Sequence, residues 1–138
     1  MKILFVCKSN FARSQIAEAF LKKFSKKYEV ASAGTMVEKE WLGKPISIFH
    51  NYVVPAMLEE GIDLSQNIPK QLTKEMVDNF DKVVVMASKD LWPDYLSKSE
   101  KVDFWDILDP RGTDLEFHRR VRNDIKNKIK SLLKNIKP

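Results

Sequence analysis

Cys7 and Arg13 stand six positions apart in the run Cys7-Lys8-Ser9-Asn10-Phe11-Ala12-Arg13-Ser14. The thiolate is the nucleophilic form of cysteine. A guanidinium presents a planar fork of donors that matches two oxygens of a tetrahedral oxyanion. If the run joins a strand to a helix, its backbone N–H groups and the helix dipole also favour an anion, and with it the thiolate. Together these features make a nucleophile beneath a phosphate cradle. The candidate phosphate-binding residues are Lys8, Ser9, Asn10, Phe11, Ala12, Arg13 and Ser14. The plain alternative is a buried strand-end cysteine followed by a surface arginine.

The elements that must position this run follow from periodicity. Lys2 to Val6 is a short apolar run of the buried-strand type. Ser14 to Lys27 reads as a helix, with Ile16, Ala17, Phe20, Leu21 and Phe24 on one face. A second strand is expected from Tyr28 to Ala33, then a loop through Gly43-Lys44-Pro45. A helix is expected around Ile48 to Glu60, stopped by Gly61 and kinked or restarted at Pro55. Thr73 to Asn79 and Ser88 to Leu96 read as helices, the latter complicated by Pro93. Lys82 to Met86 and Lys101 to Trp105 read as strands, and Asp114 to Lys134 as a long final helix. Alternating strands and helices predict an α/β fold: a three-layer sandwich with a central four-stranded parallel sheet flanked by helices. Ligands of such folds bind at the carboxyl ends of the strands, where Cys7 falls.

The chain has 138 residues, 43% hydrophobic and 31% charged, enough for one domain, 1–138, with a real core. A single cysteine excludes an internal disulfide, a Cys-x-x-Cys pair and a Cys-rich zinc site. It suggests a reducing compartment, so a cytoplasmic location is expected. No apolar run approaches the ~20 residues of a membrane span. The apolar start ends at Lys8, too short for a signal peptide. The net charge of +5 favours anionic ligands. Basic residues surround the last helix instead of forming a stripe, so no nucleic-acid partner is expected. His50 and His118 lack metal-ligand spacing and read as surface or satisfied helix residues. Neither a metal nor a cofactor is expected. Asp109-Pro110-Arg111-Gly112 has the composition of an ordinary turn.

Cys7-x5-Arg13-Ser14 after an N-terminal strand resembles the opening signature of the low-molecular-weight protein-tyrosine phosphatases and the related arsenate reductases. Ser32-Ala33-Gly34-Thr35, Gly61-Ile62-Asp63-Leu64-Ser65, Asp81 to Met86 and Asp109-Pro110 are similar to later family segments, so the resemblance spans nearly the whole chain. It implies that Cys7 attacks phosphorus, that Arg13 and the loop amides hold the equatorial oxygens, and that Asn10 braces the loop. It further implies that Ser14 donates to the Cys7 sulfur and that Asp109 is the general acid. Asp106 is the runner-up, with Asp103 and Asp114 as further competitors.

The chain departs from the family pattern at Ala12, where most members carry a second cysteine, and at Arg111-Gly112, where typical phosphatases carry aromatic residues. Trp41 and Arg111 are candidate substrate walls. Trp41 and Phe11 either stack on an aromatic substrate or simply pack; Lys8 and Arg111 either favour an acidic substrate or are solvated. The resemblance implies a phosphomonoester hydrolase acting on phosphotyrosine protein or a small aryl phosphate, as a monomer or weak dimer. The alternative is an arsenate reductase. With Cys7 alone it would depend on an external thiol of the glutaredoxin or mycoredoxin kind.

Overall fold

In the computed structural model, which describes residues 1–136, four strands form one parallel sheet. Lys137 and Pro138, the end of the expected domain span, lie outside the described residues. The strands are β1 (Lys2–Cys7), β2 (Glu29–Gly34), β3 (Lys82–Val85) and β4 (Val102–Phe104). Their order across the sheet is β2-β1-β3-β4. The helices are α1 (Arg13–Phe24), α2 (Val53–Leu58), α3 (Lys74–Asn79), α4 (Asp94–Ser97) and α5 (Leu115–Asn135), with 3-10 turns at Ile46–Ile48 and Lys89–Leu91.

The near-continuous apolar composition of β1 and β3 reflects burial on both faces. Successive strand residues alternate sides, so Ile3, Phe5 and Cys7 pack with Val84 and Met86 against Ile16 and Phe20 of α1 and Ile125 of α5. Leu4, Val6, Val83 and Val85 face the other layer, against Leu72, Val77 of α3 and Leu96 of α4. Each fully buried Leu, Ile or Phe side chain contributes about 1.5–3 kcal/mol. The expected three-layer architecture is therefore the observed one. β1 is joined in sequence to β2 on one side, and β3 pairs on its other side, so the β1/β3 boundary is the point where the strand order reverses. Crevices at such points are where α/β sheets bind ligands, and Cys7 ends β1 there.

Two expected helices differ from the structure. Ile48 to Glu60 is a 3-10 turn, an extended segment at Phe49, and then α2. Asn51 Oδ1 accepts from Val54 N at 3.0 Å, capping a helix whose third residue is Pro55. Proline fits the first turn because its missing N–H would have no helical partner. α2 ends in a Schellman closure: Ile62 N–H donates to Met57 O and Gly61 N–H to Leu58 O, each at 3.0 Å, with Gly61 at φ +75°. Ser88 to Leu96 likewise divides at Pro93, which precedes α4 as its N-cap. No described helix is long and apolar enough to cross a membrane.

Candidate active site

The loop between β1 and α1 is bent by Asn10, whose φ of 53° is left-handed, a region Asn tolerates better than most residues. The loop rests directly on the end of β2. A Cβ on Gly34 would stand 2.7 Å from Lys8 O and 2.8 Å from Asn10 N, so only glycine allows this approach. Cys7 O and Lys8 O accept from Thr35 N and Met36 N at 2.9 and 2.8 Å. Among the described residues, the amides of Lys8 through Arg13 donate to no protein acceptor. Unpaired donors at a helix N-terminus form an anion site.

Behind the loop lies a closed polar network. Cys7 Sγ is 2.9 Å from Ser14 Oγ. Asn10 Nδ2 donates to Ser14 Oγ at 2.7 Å and to Ser32 Oγ at 3.0 Å, and Ser32 Oγ donates to Glu18 Oε1 at 2.5 Å. Asn10 Oδ1 accepts from Lys70 N at 2.9 Å. Because Asn10 donates to Ser14, the serine hydroxyl hydrogen is free to point at sulfur. Buried polar groups need such complete pairing.

The Arg13 side chain is only 7% exposed. Nη1 donates to Met86 O at 2.6 Å and to Ile107 O at 3.0 Å, carbonyls just beyond β3 and β4. Nη2 stands 3.6 Å from Asp109 Oδ2. The sheet thus aims the guanidinium, with the Asp109 carboxyl beside it. Asp109 is 44% exposed at its side chain and accepts from Arg111 N at 3.0 Å.

Cys7, Ser9, Phe11, Ala12, Arg13 and Asp109 line one cavity of about 460 Å³. Its outer walls include Trp41, Phe49, Tyr52, Arg111 and His118. Trp41 packs on Phe11 with ring centroids 4.7 Å apart, and the Arg111 guanidinium lies 4.7 Å above the Trp41 ring. Arg111 is also ion-paired with Glu38, and that hydrogen bond holds the Glu38 carboxyl below its ordinary range. Both proposed wall residues therefore border the cavity, with the Arg111 charge already matched. Of the expected phosphate-binding residues, Lys8, Asn10 and Ser14 do not border the cavity; Asn10 and Ser14 are fully buried in the network behind the loop.

The rival aspartates lie elsewhere. Asp103 pairs with Lys82, Asp114 caps α5 by accepting from Phe117 N at 2.9 Å, and Asp106 borders a separate cavity of about 170 Å³. Phe49, Tyr52 and His118 are wall residues that the sequence pattern does not mark, because periodicity places the first two inside a longer helix. Pro55, expected to kink that helix or restart it, lies in the first turn of α2, and the restart leaves Phe49 and Tyr52 outside the helix. His118 is a satisfied helix histidine as expected, and it also borders the cavity.

Residues 2–138 match the family model for low molecular weight phosphotyrosine protein phosphatases, and the chain belongs to that family. A glutaredoxin arsenate reductase from Synechocystis is 30% identical, covering 98% of each chain. The low molecular weight protein tyrosine phosphatase structure from T. tengcongensis superposes with a TM-score of 0.83 at 28% identity, covering 99% of each chain. An arginine phosphatase mutant with serine in place of its cysteine, and that active-site serine phosphorylated, superposes at 0.81 with 25% identity over 97% of this chain and 94% of that one.

Proposed function

We propose that this protein hydrolyses phosphate monoesters through a phosphocysteine, with aryl phosphates of the phosphotyrosine type as substrates. The observation that carries this reading is the convergence of Cys7, Arg13 and Asp109 on one cavity with aromatic outer walls. The Cys7 thiolate attacks phosphorus in line with the leaving oxygen, forming the S–P bond as the P–O bond breaks. Asp109 gives its proton to the departing phenolate, which leaves poorly without it. Arg13 and the loop amides gather the charge of the three equatorial oxygens. Asp109 then takes a proton from water as the water oxygen attacks phosphorus, breaking the S–P bond and releasing inorganic phosphate. The phosphorylated serine of the related arginine phosphatase supports a protein side chain at this place as phosphoryl acceptor. Trp41 and Phe11 offer faces to an aromatic ring.

A second reading is favoured by the arsenate reductase relative. Arsenate has the shape and charge of phosphate and would form an S–As bond at Cys7 with loss of water. Cys7 is the chain's only cysteine, so an external thiol would attack its sulfur, releasing arsenite and leaving a mixed disulfide for a further thiol to reduce. Both activities should be measured on one preparation. The hydrolase reading expects aryl phosphate turnover, abolished in Cys7→Ser. Thiol-dependent arsenite formation with negligible phosphate release would replace it with the second reading.

A further inference from the structure

The Asp109–Thr113 segment has no regular secondary structure, yet its acid must return to the same place in each turnover. Gly112, at φ +80°, and buried Pro110 shape the turn, and Thr113 N–H donates to Pro110 O at 3.0 Å. The Thr113 hydroxyl reaches the same carbonyl at 2.5 Å, so its hydrogen is committed there. Thr113 Oγ1 is therefore an acceptor toward His118 Nδ1, 3.2 Å away. That nitrogen also lies 2.8 Å from Asp114 O, which can only accept. Both partners require the proton to sit on Nδ1. The ring is only 6% exposed and packs edge-on to Tyr52 with centroids 5.6 Å apart.

Resting on the reading of Asp109 as the acid, we propose that His118 and Thr113 are positioning residues for it. Nδ1–H of His118 orients the Thr113 hydroxyl, and that hydroxyl ties the Pro110 carbonyl, one residue from Asp109, to the first turn of α5. The chain of contacts runs from α5, a long helix with one buried face, to the peptide following the acid's own. Thr113 and His118 border the cavity but hydrogen-bond to neither Cys7 nor Arg13.

Loss of an acid's placement hurts poor leaving groups far more than good ones, whereas general damage hurts both alike. The test compares kcat/KM on phenyl phosphate and 2,4-dinitrophenyl phosphate for Thr113→Val, His118→Phe and His118→Asn, with Asp109→Asn as reference. Asp109→Asn should lose about 10²–10³-fold more on the phenyl ester. Thr113→Val and His118→Phe should each lose about tenfold more on the phenyl ester, a fraction of that general-acid effect. His118→Asn, whose amide N–H can take the place of Nδ1–H, should recover most of the difference. Equal losses on both esters, or no loss, would overturn the proposal while leaving Asp109 in its role. If Asp109→Asn itself shows no leaving-group dependence, the acid assignment falls and the proposal with it. If His118→Phe fails to fold, the Thr113→Val ratio alone decides.

Discussion

Gly34 shows how much of the site depends on one missing methyl group. The phosphate loop lies on this residue, and a side chain there would collide with backbone atoms of Lys8, Ser9 and Asn10, which have no rotamer to yield. Gly34→Ala should cost about 1–3 kcal/mol by overpacking, measured by chemical denaturation. Activity should fall further than the stability loss implies, because the loop amides move. Unchanged turnover would mean that the loop tolerates the shift. The residues of this loop were readable in the sequence because nucleophile, spacing and helix start are local features. The roles of Met86 and Ile107 were not, since they act through backbone carbonyls that aim Arg13, and a carbonyl leaves no mark on residue type.

At the scale of elements, the outer wall of the cavity depends on how α2 docks against α5. The segment before α2 supplies Phe49 and Tyr52, and α5 supplies His118. Glu59, just after α2, accepts from Arg119 Nη2 at 2.7 Å and Arg122 Nη1 at 2.6 Å, while Arg122 also donates to Ala56 O at 2.8 Å. The hydrogen bond from Arg119, then that from Arg122, lowers the Glu59 carboxyl from 4.5 to about 2. Such a depressed carboxylate stabilises the fold fully above its unfolded value, and the contribution fades as pH drops from 4.5 toward 2. Glu59→Gln should flatten the acid limb of the stability–pH curve in that window, read by thermal melts. An unaltered limb would show that the pair adds nothing in solution. The pattern of α1 and α5 was legible because their apolar faces repeat over several turns. Of the helix expected from Ile48, only the restart near Pro55 forms α2, because Asn51 and Pro55 set its start by capping and ring geometry, and hydrophobic spacing does not register the cap.

At the scale of the whole molecule, the sheet order explains why distant segments meet. β1 ends at Cys7, the chain beyond β3 offers Met86 O, and the chain beyond β4 offers Ile107 O and then Asp109, so three strand ends build one site. The alternating pattern announced a parallel sheet, and the β1/β3 reversal turns that topology into a cleft. The central claim is that phosphate passes through the Cys7 sulfur. Its most direct test is acid quenching during turnover of an aryl phosphate, followed by mass spectrometry of the intact protein and its peptides. The account predicts one phosphoryl group, carried on Cys7 and absent in Cys7→Ser. Continued phosphate release with no phosphoryl group on Cys7, or release undiminished in Cys7→Ser, would contradict it.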